Sequence, residues 1–208
     1  MVCLLPPSLS HLLSSSPPSN NTHKPFIDDI DDETQYNYQF FGVDESDARI
    51  NLLLEELEPK DDERIIYMDG SHYKGCLIDE LRHGHGVCVF AGVGKYSGHW
   101  EYDKRSGYGV MRWKDGGIYD GIWDEDLEDG VGTMKYPNGD VYIGQWNHGL
   151  KHGKGLFTFN VNRKNKNVPM HEYDGDWVND KQEGFGKVTW SNGSIEETHW
   201  ENGKRKRS

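Results

Sequence analysis

The sequence predicts an all-β fold: an elongated, single-layer antiparallel sheet of stacked β-hairpins, preceded by a short helix and a disordered tail. Three observations carry that expectation. The first is a fixed period, because Tyr73, Tyr96, Tyr119, Tyr142 and Tyr173 recur at intervals of 23, 23, 23 and 31 residues. A repeat of that length marks a supersecondary unit stacked on copies of itself. The second is alternation inside each unit: Tyr119, Gly121 and Trp123 alternate with Ile118, Asp120 and Ile122. A period of two puts each set on one face of a strand. The third is composition, with 25 Gly beside 7 Trp, 11 Tyr and 7 Phe, which suits a thin sheet with aromatic contacts better than an aliphatic core.

In chain order, residues 1–25 are rich in Ser, Pro and Asn, and residues 26–45 set a run of acids before Tyr36, Tyr38, Phe40 and Phe41. Residues 1–60 hold three basic against eleven acidic residues, a net of −8, which leaves −4 of the total −12 for the rest. High charge with low hydrophobicity does not offset the entropy of ordering, so residues 1–45 are expected to be disordered. They serve either as a solvated tail or as a partner-docking segment. No basic n-region opens the chain and Pro6-Pro7 interrupts its apolar run, which speaks against a secretory leader. Three cysteines (Cys3, Cys76, Cys88), none in a CxxC, do not make a disulfide framework.

Residues 46–60 are expected to hold a short amphipathic helix. Ile50, Leu53, Leu54 and Leu57 share one face, Asp44 or Ser46 caps the start and Pro59 stops it. Alone in water such a helix is marginal. The face of Leu53, Leu54 and Leu57 therefore either covers the first repeat or docks in a partner's groove.

Residues 61–203 are the repeat array. Two residues after each leading Tyr comes a glycine, and two further on come Leu77, Trp100, Trp123, Trp146 and Trp177. Pairs of the form Gly-x-Gly follow (Gly84/Gly86, Gly107/Gly109, Gly130/Gly132, Gly153/Gly155, Gly184/Gly186), then Phe90, Trp113, Tyr136, Phe159 and Trp190 before a turn. Links such as Lys114-Asp-Gly-Gly117 and Pro137-Asn-Gly-Asp140 are hairpin turns. On the face bearing Tyr and Trp, a missing Cβ lets a neighbouring ring lie on the backbone. Roughly eleven strands spaced ~4.8 Å apart make a ribbon about 50 Å long.

These residues carry a resemblance. YxGxW, a polar stretch, GxG and an aromatic before an Asp/Asn-Gly turn, every 23 residues over about 65–203, resembles the MORN (membrane occupation and recognition nexus) repeat. The resemblance implies stacked hairpins forming an extended groove. Leu77 departs from it by replacing the first Trp, and Glu196 with Thr198 replace the last Tyr and Gly. Those ends are expected to be looser or to act as caps.

Two further features break the period. Eight extra residues between Phe159 and Tyr173 carry Arg163, Lys164 and Lys166, at a hairpin tip where insertion costs little. This basic finger is either an idle loop or a contact for an acidic partner. Residues 204–208 are a basic tail, Lys204-Arg-Lys-Arg207-Ser.

No sequence pattern points to catalysis. Walker, GxSxG, HExxH and kinase signatures are missing, and the GxG pairs lack the third glycine and βαβ setting of a dinucleotide site. Asp124–Gly130 is not a calcium loop, since positions six and twelve are Asp129 and Lys135. It reads as a solvated loop instead. His83 and His152 fall at one repeat position, as periodic decoration rather than a ligand set. No cofactor and no metal are expected. Related MORN arrays are implied to precede enzyme domains at times, but 208 residues leave no room for one here, so the chain is expected not to be an enzyme.

The acidic balance disfavours nucleic acid and anionic lipid. The expected function is a non-catalytic, protein-binding scaffold in a larger assembly. The resemblance suggests a cytoskeletal one, a ciliary or flagellar axoneme, with a membrane adaptor or an enzyme regulator acting in trans as alternatives. Candidate protein-binding residues are the stripe Tyr96, Trp100, Tyr119, Trp123, Tyr142, Trp146, Tyr173 and Trp177. For the tryptophans of that stripe, the competing reading is core. Arg163, Lys164 and Lys166 of the finger and Leu53, Leu54 and Leu57 of the helix complete the candidates.

Overall fold

Each unit is folded back twice by its own sequence, once at each end of its strands. At one end an aromatic residue opens a turn closed by its own backbone: Trp113 N–H donates to Gly117 O (2.9 Å) and Gly116 N–H to Trp113 O (3.0 Å). The Asp115 carboxylate accepts from Gly117 N–H at 3.0 Å, and Asn138 and Asn192 do the same in their units. At the other end the turn has two residues, both at positive φ: Tyr102-Asp103 (44° and 70°), Glu125-Asp126 (45° and 72°) and Asn179-Asp180 (48° and 67°). That geometry matches the twist of the strands it joins. The stretch expected as a solvated loop at 124–130 is therefore divided. Asp124 ends one strand, Glu125-Asp126 turn, and Leu127 opens the next.

The computed structural model describes residues 64–160 and 170–206. Thirteen strands follow one another: β1 (Ile65–Ile66), β2 (His72–Ile78), β3 (Leu81–Phe90), β4 (Gly94–Glu101) and β5 (Lys104–Trp113). Next come β6 (Ile118–Asp124), β7 (Leu127–Lys135), β8 (Val141–Asn147) and β9 (Leu150–Thr158). The last are β10 (Met170–Val178), β11 (Lys181–Trp190), β12 (Ile195–Glu201) and β13 (Lys204–Arg205). They form one open sheet in sequence order, and every neighbouring pair is antiparallel. The count is two above the rough eleven expected, and the outermost described strands, β1 and β13, have two residues each. Among the described residues there is no helix. The tail, the expected helix with Leu53, Leu54 and Leu57, and the finger residues Arg163, Lys164 and Lys166 lie outside the described residues.

The insertion leaves the register alone. Tyr142 and Tyr173 both pair with Phe157, from either side, and Phe159 N–H donates to His171 O at 2.8 Å below the hairpin tip. All additional length is taken up beyond that bond.

The core lies on one face of this single layer. Tyr73, Tyr96, Tyr119, Tyr142 and Tyr173 are each 0 % exposed. Register explains how a sheet with no second layer among the described residues buries such large rings. Gly75, Gly86, Gly98, Gly109, Gly121, Gly132, Gly144, Gly155, Gly175 and Gly186 are cross-strand partners in unbroken succession, so a glycine lane crosses the sheet. Each Tyr ring lies over two of these glycines: a Cβ added at Gly109 meets Tyr96 Oη at 2.2 Å. The two glycines of a GxG thus have different tasks. Gly109 makes room for a ring, whereas Gly107 sits at φ +60°, where the strand bulges.

Candidate protein-docking face

The stripe of Tyr and Trp is a closed chain of ring contacts. Tyr73–Trp100 (5.7 Å), Trp100–Tyr96 (5.1 Å), Tyr96–Trp123 (5.5 Å) and Trp123–Tyr119 (5.0 Å) are all edge-to-face. The series continues through Trp146, Tyr142, Trp177 and Tyr173 to Trp200. This arrangement lets each ring's positive edge meet its neighbour's negative face. The polar ends are satisfied as well. Each Tyr hydroxyl donates to the carbonyl three residues on, as from Tyr96 to His99 O and from Tyr119 to Ile122 O, both 2.9 Å. The indole N–H groups of Trp100, Trp123, Trp146 and Trp177 donate to glycine carbonyls of the lane, as from Trp123 to Gly109 O at 3.0 Å, whereas that of Trp200 donates to Thr198 Oγ1.

All eight stripe candidates are therefore buried, at 5 % exposure or less. Their faces are occupied by one another, and they form the floor beneath the surface rather than the surface itself. Burial pushes the phenols of Tyr73, Tyr96, Tyr119 and Tyr173 well above the ordinary tyrosine range, so they remain protonated donors.

Two rows stand above that floor. One is cationic. Arg82 donates through Nε to Asp103 Oδ1 (2.9 Å) and through Nη2 to Asp103 O (2.9 Å), while its guanidinium lies 4.1 Å over the Trp100 ring. Arg105 repeats this with Asp126 and Trp123, again 2.9 Å and 4.1 Å. Lys151 pairs with Asp180 at 2.8 Å and lies 5.5 Å over Trp177. At the intervening register position stands Glu128, whose partner position is Gly149: Gly149 N–H donates to Glu128 O. Burial raises the Glu128 carboxyl above its ordinary value.

The other row is the half-buried aromatics at the turn end: Phe90, Trp113, Tyr136 and Trp190 pack against the core without being enclosed by it, and Phe157 joins them from inside β9. Between the rows runs a groove. Over the first units it has a volume of about 380 Å³, walled by Phe90, Val93 and Trp113 on one side and Arg82, Arg105 and Asp126 on the other, with Trp100 and Met111 as floor. Sequence reasoning singled out these turn aromatics as unit markers but not as a surface. The signal that separates them from the stripe is their place at the turn, where no later strand lies over them.

The opposite face buries a carboxylate. Asp120 is 5 % exposed there and accepts a bond from Tyr108 Oη at 2.7 Å. Burial raises its carboxyl above the usual range, while the Tyr108 hydroxyl and Arg112 pull it back. Its cross-strand neighbour Thr133 is buried with no partner for Oγ1. His85 and His99 rings stand 5.6 Å apart, with His83 6.4 Å from His99. Burial first, then His85 and His83, lower the pKa of His99. Among the described residues no three His, Cys, Asp or Glu side chains converge as a metal site requires. The Cys88 thiol is buried and pushed up by that burial.

Comparison with known proteins agrees with this anatomy. The MORN repeat matches at residues 73–92, 96–118, 119–141, 142–161 and 173–195, which is more than half of the chain. The chain belongs to the MORN repeat family. Each match begins at or next to a leading Tyr of the ring chain, so the MORN unit is the Tyr–Gly–Trp hairpin described above. No curated protein matches the sequence. Among solved structures, the SAS-4 (dCPAP) TCP domain of Drosophila melanogaster, in complex with a proline-rich motif of Ana2 (dSTIL), is similar at 13 % identity and a TM-score of 0.40, covering 66 % of this chain and 70 % of that one. The MORN repeat array is a protein-interaction module, and its own geometry has to say where it binds.

Proposed function

We propose that this MORN array is a non-catalytic scaffold that docks segments of protein partners along the groove between its aromatic and cationic rows, within a cytoskeletal assembly. One observation carries the reading: the half-buried row of Phe90, Trp113 and Tyr136 faces a row of cations already fixed by Asp103 and Asp126. Rigid aromatics beside pre-oriented guanidinium groups lose little entropy on binding, and such residues dominate the energy of protein interfaces. The stripe below keeps the platform flat and stiff, so its contribution is through position. The acidic chain suits protein partners better than anionic membranes.

The test is fractionation of cells carrying the tagged full chain or its Trp113→Ala variant, with the melting temperature of each purified protein measured alongside. Retention of the wild type in the detergent-insoluble cytoskeletal fraction is expected, with release of a variant that melts within a few degrees of it. Flotation of the purified chain on vesicles containing anionic lipid, or equal retention of both proteins, would overturn the reading.

A further inference from the structure

The two ends of the described sheet are complementary. β12 pairs with β13 at Trp200 and Glu201, and Lys206 N–H adds a bond to His199 O, so further towards Ile195 its outer edge carries no strand among the described residues. β1 covers β2 only at Tyr73 and His72. Unpaired strand edges are templates for another chain, and here the register says which one. Lys204-Arg205 stands on β12 as Lys104-Arg105 stands on β4, Arg205 opposite Trp200 as Arg105 is opposite Trp100. It opens a return strand. Ile65-Ile66 stands on β2 as Met111-Arg112 stands on β6, Ile65 opposite Tyr73 as Met111 is opposite Tyr119. It closes one.

We infer that copies of this chain associate head to tail, β1 of one copy completing, against β12 of the next, the return strand that β13 begins. Continuing the register of β4 with β5 (Lys95 opposite Arg112, Tyr96 opposite Met111) places Ile66 opposite Ile195 of the neighbouring copy and Ile65 opposite Glu196. Ile66 and Ile195 are 75 % and 53 % exposed in the single copy. Paired across strands they remove apolar surface from water. In one copy, Arg205 and Lys206 are held by Glu196 and Glu201.

The departures from the repeat fit the same junction. A lane glycine is needed only where a Tyr ring lies over it. The composite unit has Glu196 where Tyr stands elsewhere, and the lane position on β12 is Thr198. With no ring to accommodate, that position keeps a side chain. Such a contact joins two different surfaces, so it does not close on itself as a twofold pair does and extends into a linear array. The inference concerns the sheet edges and stands independently of the groove.

The test uses the full chain in two steps. Sedimentation over a concentration series is expected to show mass rising through dimer and higher multiples, whereas a single monomeric species throughout would overturn the inference. Then I66C and I195C variants are mixed and oxidised, and the linked peptides are identified by mass spectrometry. Because each protein carries one of the two substitutions, a link between positions 66 and 195 has to be intermolecular. A 66–195 link in at least tenfold excess over the symmetric links is expected. Predominant 195–195 or 66–66 links, or none, would refute head-to-tail pairing.

Discussion

Gly109→Ala is the sharpest probe of how this sheet buries its rings. The added Cβ would lie 2.2 Å from Tyr96 Oη and 2.5 Å from Cζ, well inside van der Waals contact, so the ring has to move. It has nowhere to go at no cost: Tyr96 is wedged edge-on between Trp100 at 5.1 Å and Trp123 at 5.5 Å. Moving it breaks the bond to His99 O, about 1 kcal/mol, and disturbs two aromatic contacts of about 0.5–1.5 kcal/mol each. The expected loss is about 2–4 kcal/mol. Against this, a residue other than glycine gains up to ~1 kcal/mol through the unfolded chain. In a Tyr96→Leu background the obstruction is gone, and Gly109→Ala is expected to be neutral or slightly stabilising. A double-mutant cycle by urea unfolding, followed by tryptophan fluorescence, measures the coupling. A repeat array need not unfold in one step, so the curves are to be fitted with a nearest-neighbour scheme. Additive effects, with Gly109→Ala costing the same in both backgrounds, would show that the ring does not dictate the glycine.

Two other perturbations test the electrostatics. Asp120→Asn removes a buried charge, keeps an acceptor for Tyr108 and offers a donor to Thr133, so it is expected to stabilise by about 1 kcal/mol at neutral pH. Since burial raises the folded-state pKa of Asp120, its contribution is fully present below the unfolded value near ~4 and is lost as pH rises through the folded one. The gain from Asn should therefore shrink on acidification, and a gain independent of pH would contradict the assignment. The pair Glu128→Arg with Gly149→Asp copies the Arg105–Asp126 arrangement into the unit that lacks it. It is expected to raise stability by about 0.5–1 kcal/mol, with each single change giving less than half of that in thermal denaturation. Asp at 149 meets a turn position, φ +81°, that Asp103, Asp126 and Asp180 already occupy at 67–72° in their units.

The cation row shows where sequence reading stops. Arg82, Arg105 and Lys151 share a position, and Asp103, Asp126 and Asp180 share another 21 or 29 residues on, yet neither row marks itself as a pair. Only the hairpin stacking, which sets the turn of one unit beside the strand of the previous one, brings them to 2.8–2.9 Å. The same holds for Asp120, which reads as one of many acids until the strand places it against Tyr108.

The 23-residue period, the alternation of two and the turn residues were enough to specify an antiparallel hairpin array, its order and its family, because those depend on local backbone preference and on which face each side chain takes. Which aromatics are floor and which are wall was not written there. Tyr96 and Trp113 are both large rings on the same face, but a ring is buried only if glycines on its own and the adjoining strand let it lie flat and the next unit's indole covers it. That depends on the register between strands. Tertiary structure made the Tyr–Trp stripe a core, left Phe90, Trp113 and Tyr136 half open beside a fixed row of cations, and left β1 and β12, among the described strands, with edges in matching register.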